Sequence, residues 1–122
     1  MSVAPTDSYI TAHEKAVEGI CKAFVAANAF ILNPKNREAV IRVLGKYLRV
    51  DRSDTLDEHY KAALENAEKK PFVSMEAIAS MIHLMAVSDP EVGRLKAESV
   101  VYKGIMERID RSGFIDQLYR PY

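Results

Sequence analysis

Metal binding and acid–base chemistry need donor side chains that converge on one surface. The spacing of such residues in this chain keeps them apart. Its three histidines, His13, His59 and His83, are widely separated, and none has a second ligand three or four positions away. Glu14 adjoins His13, but neighbouring helical positions point apart, so the two do not make a metal pair. His83 sits between apolar neighbours and reads as a half-buried structural histidine. Asp57-Glu58 and Glu65 with Glu68 are the candidates for paired carboxylates, and a solvated helix face accounts for both. Cys21 lies among Ile20, Ala23 and Phe24, the setting of a buried, inert thiol; a reactive one needs an exposed, electropositive environment. There is no glycine-rich phosphate loop, nucleophile elbow or zinc spacing. The expectation is therefore no catalytic residue, no metal and no cofactor.

The remaining candidates are contact residues. Met81 and Met85 share a helix face with Met75 a little off it, a pattern that serves as adaptable core filler or as a partner-binding surface. The end of the chain, Tyr119-Arg120-Pro121-Tyr122, reads as a frayed terminus or a recognition tail.

The elements that position these residues read as helical, with no run of period two. Thr6 or Asp7 caps a short turn through Tyr9 and Ile10, and Thr11 with Glu14 fits a capping box. Val17, Ile20, Cys21, Phe24, Ala27 and Ile31 then recur at helical intervals, with Asn28 at the edge of the stripe. Asn33-Pro34 ends that helix and starts the next, which carries Val40, Val43, Leu44, Tyr47 and Leu48. Gly45 within it marks a close helix contact. Ser53 or Asp54 caps a more polar third helix, and Ser74 caps a fourth with Ile78, Met81, Ile82 and Met85 on its stripe. Ser88 to Glu91 makes a turn, with a short helix through Leu95. A fifth helix carries Val101, Ile105 and Ile109, stops at Ser112-Gly113, and is followed by a last turn through Tyr119 that folds back. The fold class expected is all-α: one domain of about five helices in an irregular bundle, near 12–32, 34–48, 54–68, 75–87 and 98–111.

Composition sets outer limits. An apolar share of 48% and a charged share of 28% suit a globular domain rather than a disordered or membrane-spanning one. Seventeen basic residues balance seventeen acidic ones, which argues against nucleic acid or an anionic membrane as a partner. One cysteine excludes an internal disulfide. The amino terminus lacks the basic start and apolar core of a secretory signal, and no apolar run is long enough to span a bilayer, so the chain as written is expected in the cytoplasm.

Asn33-Pro34-Lys35-Asn36-Arg37-Glu38-Ala39, Pro71-Phe72-Val73-Ser74-Met75-Glu76-Ala77-Ile78 and Asp110-Arg111-Ser112-Gly113-Phe114-Ile115-Asp116, in that order, resemble the carboxy-terminal helical region of ABC-transporter solute-binding proteins. The branch is the one that captures nitrate, sulfonates, taurine and pyrimidine precursors of thiamine. The resemblance covers nearly the whole chain and rests on the ordered set of segments. It implies a two-lobed α/β protein whose solute lies between lobes that close by hinge motion. It also implies an exported, periplasmic setting and a membrane permease as partner. Both parallel sheets and the pocket residues of the first lobe have no counterpart here. By the same resemblance Thr6, Asp7 and Ser8 match a segment near the family's cleft.

Helices that cover a sheet expose apolar stripes when the sheet is missing. Solute binding by this chain alone is therefore not expected, and self-association as a two-fold dimer is. The self-association faces expected are Val17, Phe24 and Ile31 on one helix, and Ile78, Met81 and Met85 on another. The alternative reading is a stand-alone helical module that docks a partner helix.

Overall fold

The computed structural model describes residues 4–120. These form α-helices and short 3-10 turns with no strand, the all-α class expected. The chain begins with α1 (Asp7–Ala12), α2 (Glu14–Leu32) and α3 (Arg37–Leu48), then α4 (Ser53–Asn66) and α5 (Met75–Ala86). It ends with α6 (Ala97–Val100), α7 (Gly104–Arg111) and α8 (Phe114–Leu118). There are thus eight α-helices among the described residues where about five were expected, and the additions are short.

Three differences from the expected elements have local causes. Thr11 does not cap α2; it lies inside α1, where its hydroxyl donates to the Asp7 carbonyl at 2.9 Å. His13 takes the boundary position instead, at φ −132°, with its ring 4.5 Å from that of Tyr9. The fifth helix is two helices, α6 and α7, separated by extended backbone at Val101. Two successive β-branched residues, Val100 and Val101, disfavour helix there, and Gly104 lets the Tyr102 ring come within 3.7 Å of where its Cβ would stand. The third concerns α4, which starts behind Arg52 rather than behind a Ser53 or Asp54 cap. Asp54 sits in its first turn, taking Arg52 Nη2 at 2.8 Å and the Thr55 amide at 2.8 Å.

Other local signals hold. Thr6 Oγ1 accepts from the Tyr9 amide, Asn33 Oδ1 from Lys35 and Ser74 Oγ from Ala77. Pro34 opens a 3-10 turn, Pro34–Asn36, and α2 meets the segment Pro34–Leu48 at 87°. Val92–Arg94 forms a second 3-10 turn in the stretch read as a short helix. Gly113 stops α7 in the left-handed region at φ 77°, which glycine adopts without strain. Arg49 closes α3 in the same region at φ 56°, and the chain then folds back so that the Val50 carbonyl would lie 3.1 Å from a Cβ on residue 45. That close approach is why glycine stands inside α3.

The main core joins the two ends of the chain. Ile10 of α1 and Val17 and Val25 of α2 bury against Ile105 and Ile109 of α7 and Ile115 of α8. Cys21, Met106, Phe114, Leu118 and Tyr119 pack around them half-buried. At the far end of α2 lies the α3–α4 pair, whose buried residues are Val40 and Tyr60. Arg37 bridges this pair, with Nη2 2.6 Å from Asp57 Oδ1 and its guanidinium 5.5 Å from the Tyr60 ring centre.

Between α4 and α7 the chain runs outward. The Val92–Arg94 turn and α6 each pack on α5, and no Cα of α5 comes within 8 Å of one in α1–α4, α7 or α8. A Cβ at Gly93 would lie 3.0 Å from that of Ala86, so the turn sits hard against α5. This arm contains no fully buried residue.

Candidate docking surface

The residues singled out by type and spacing do not converge. Thr6, Asp7 and Ser8 are exposed at the start of α1, and their polar groups are engaged locally. Thr6 Oγ1 lies 3.1 Å from Ser8 Oγ, and the Asp7 carbonyl takes the Thr11 hydroxyl. His13, His59 and His83 are all exposed. His83, read as half-buried, is solvent-facing because the outer side of α5 has no neighbour among the described residues. Among the described residues no group of three His, Cys, Asp or Glu could hold a metal ion.

The thiol of Cys21 is half-buried against the core, and burial pushes its pKa up, away from the reactive thiolate. Desolvation likewise raises the Tyr119 phenol. Two of the close charge contacts tie separate parts of the chain together, and a third lies within α2. Arg108 Nη2 meets Glu14 Oε1 at 2.6 Å, Lys70 Nζ meets Asp110 Oδ1 at 2.7 Å, and Lys22 Nζ meets Glu18 Oε1 at 2.7 Å. These contacts raise the Arg108 and Lys70 pKa values and lower that of Glu18.

The expected contact faces divide. Val17 lies in the core and is not available to a partner; Ile31 is half-buried, and Phe24 is open. The reason is that α7 and α8 cover one side of the α2 stripe and leave the rest bare. Ile78 turns inward with Met75, Ile82 and Ala86, half-buried in the arm, whereas Met81 and Met85 lie on its outside.

That outer face extends beyond the residues the periodicity picked out. Leu84 is 72% exposed, Val87 81% and Met81 57%, and Phe72, Val73, Leu95, Val100 and Tyr102 are also open. A second exposed group, Val43, Tyr47 and Leu48, lies on α3. The sequence signal for α5 was its breadth: Met75 to Ala86 is apolar on more than one side, with Glu76 and His83 its two ionisable residues.

The surface as a whole is large for the mass. The chain presents 9351 Å2, whereas a compact monomer of this mass presents roughly 6,600 Å2 by the usual scaling. The excess, roughly 2,700 Å2, exceeds the ~800 Å2 that each partner gives to a standard interface. Together with the apolar character of the arm, this marks a surface suited to being covered.

No protein-family model, curated protein or solved structure matches this chain.

Proposed function

We propose that the chain is the helical domain of an ABC-transporter solute-binding protein of the nitrate, sulfonate, taurine or thiamine-precursor type. Its task in that role is to cover α/β lobes rather than to hold solute or catalyse a reaction. The observation that carries this reading is the excess of surface, much of it apolar and gathered on the run from Phe72 to Tyr102. Helices that normally rest on a sheet would show such a surface when the sheet is away. The resemblance of the ordered segments from Asn33 to Ala39, Pro71 to Ile78 and Asp110 to Asp116 supports the choice of family. In that role the chain would work in the periplasm beside a permease.

The second reading is a stand-alone helical interaction module that docks a partner helix. It draws on the outer face of α5, where Ala77, Met81, Leu84 and Met85 present no charge.

The test begins with the DNA flanking the coding segment. The transport reading expects an adjoining segment with an alternating strand–helix pattern. Co-expressed with it, the chain should show a thermal shift with taurine, nitrate or a pyrimidine that the chain alone does not show. Flanking DNA without such lobes, and no thermal shift on mixing with any candidate solute, would overturn the transport reading in favour of the second.

A further inference from the structure

We propose that Met75–Val100 is an arm that swings as one unit about a two-strand hinge formed by residues 72–74 and 101–103. The inference is independent of what covers the arm.

Its first support is that no hydrogen bond or ion pair crosses from the arm to the body among the described residues. Those of the arm stay within it or reach back to Ser74. What holds the arm together is the packing of α5 on α6 and on the Val92–Arg94 turn, with Ala86 against Gly93; Ile78 and Ile82 are half-buried on α5. Its second support is a sharp boundary. Up to Lys70 the incoming strand is fastened to the body. Asn28 Nδ2 donates to the Glu68 carbonyl at 2.9 Å, Lys69 lies 4.9 Å from the Tyr119 ring centre, and Lys70 pairs with Asp110 at 2.7 Å. Beyond Lys70 these fastenings cease.

The third support is the hinge itself. Both strands are extended at their arm ends, with Ser74 at φ −73°, ψ 116° and Val101 at φ −117°, ψ 118°. Phe72, Val73, Val101 and Tyr102 line one open groove of about 230 Å3 with Met75 at the base of the arm and Met106 and Glu107 of α7, where arm and body side chains share a surface. No backbone hydrogen bond joins the two strands among the described residues, so they do not stiffen each other as a sheet would. Units with few buried contacts and no cross-bonding are the ones that move or open apart from the rest of a protein.

Spin-label distances in the full chain, with Cys21→Ser to remove the native thiol, test this. Three label pairs suffice: Lys15→Cys with Ser80→Cys for arm against body, Lys15→Cys with Gln117→Cys for the body, and Ser80→Cys with Ser99→Cys for the arm. The arm–body distribution is expected to be at least about twofold broader than the other two. An arm–body distribution as narrow as the body pair would overturn the proposal. A broad pair within the arm would overturn it too, because the segment would then be melting rather than swinging. Dilution with unlabelled protein should leave the arm–body breadth unchanged; a narrowing would assign the breadth to contacts between copies and overturn the hinge.

Discussion

Arg108 and Glu14, 94 residues apart in the chain, meet at 2.6 Å across the α2–α7 contact. The same guanidinium lies 3.9 Å from Glu18 Oε2, so α7 reaches two acidic residues one turn apart on α2. Both sides are close to half-exposed, and water screens such pairs. Arg108→Ala and Glu14→Gln should therefore lower the thermal midpoint only slightly, each by less than any large-to-small change in the core beneath. The loss should shrink further as salt is raised. A double-mutant cycle followed by thermal unfolding at low and high salt measures it. A coupling that persists at high salt would mean that the pair is better shielded than its exposure indicates.

The apolar contact below that pair is the stronger tie. Ile109 and Ile115 are 1% and 0% exposed and lie in the cluster that joins the two ends of the chain. Truncation leaves a cavity as well as losing burial, so Ile109→Ala or Ile115→Ala should cost about 2–5 kcal/mol. Ile109→Val should cost about 0.5–1.5 kcal/mol. Urea unfolding monitored by circular dichroism checks both. A core this small leaves little reserve, and Ile115→Ala is expected to be extensively unfolded at 37 °C.

Helical identity was legible because the signals for it are local. Asn33-Pro34, Ser74 and Ser112-Gly113 act through neighbouring backbone groups, and each marks a boundary where the structure has one. Gly45 was legible as a close contact for the same reason. What covers a stripe was not legible. Val17 and Phe24 are one stripe by spacing, yet α7 and α8 bury the first and leave the second open. His83 reads as sheltered by its neighbours in sequence, but its exposure depends on what stands opposite the outer side of α5, and none of the described residues does. The break at Val101 depends jointly on β-branching and on Tyr102 lying over Gly104, a local contact between residues two apart that helical periodicity does not encode.

Two helical glycines should respond oppositely to alanine. Gly19 in the middle of α2 has nothing within 4 Å of where a Cβ would stand. Gly19→Ala should therefore stabilise by about 0.5–1 kcal/mol through helix propensity alone. Gly45→Ala has the same propensity gain, but its Cβ would meet the Val50 carbonyl at 3.1 Å and the Leu56 side chain at 3.6 Å. Backbone at a helix end gives way less easily than a side-chain tip, and Val50 is itself held by the hydrogen bond that its amide donates to the Gly45 carbonyl at 3.2 Å. The net effect at position 45 should be destabilising. Chemical denaturation of the two single variants decides it, and a stabilised Gly45→Ala would show that the loop relaxes at little cost.

Acid should weaken the fold through Glu18. Its hydrogen bond to Lys22, with the charges of Lys22 and Arg108, lowers its pKa below the ordinary 4.5. In the unfolded chain Glu18 takes up its proton near that ordinary value, before the native carboxylate does. The stabilisation it gives is complete above that pH and is lost as pH falls through the lower native value. Asp54, lowered from 3.8 chiefly by Arg52, acts in the same direction. Glu18→Gln should flatten the acid side of a stability–pH curve while leaving its neutral slope unchanged. An acid limb of unchanged steepness would assign the effect to other carboxylates.

The outer face of α5 should be separable from stability. Leu84 and Met85 stand away from the packed side of the helix, which rests on Ile78, Ile82 and Ala86. Charges placed there bury nothing and break no bond, so Leu84→Lys and Met85→Glu should change the unfolding free energy by no more than about 0.5 kcal/mol. They should nonetheless reduce binding of a hydrophobic dye and any concentration-dependent association seen by sedimentation, because they interrupt the apolar surface that drives both. Ile82→Lys, facing the interior of the arm, is the contrast: it should loosen α5 against α6 and raise dye binding. If Leu84→Lys behaved like Ile82→Lys, the two sides of α5 would be equally packed, and the arm would not present a free face to a partner.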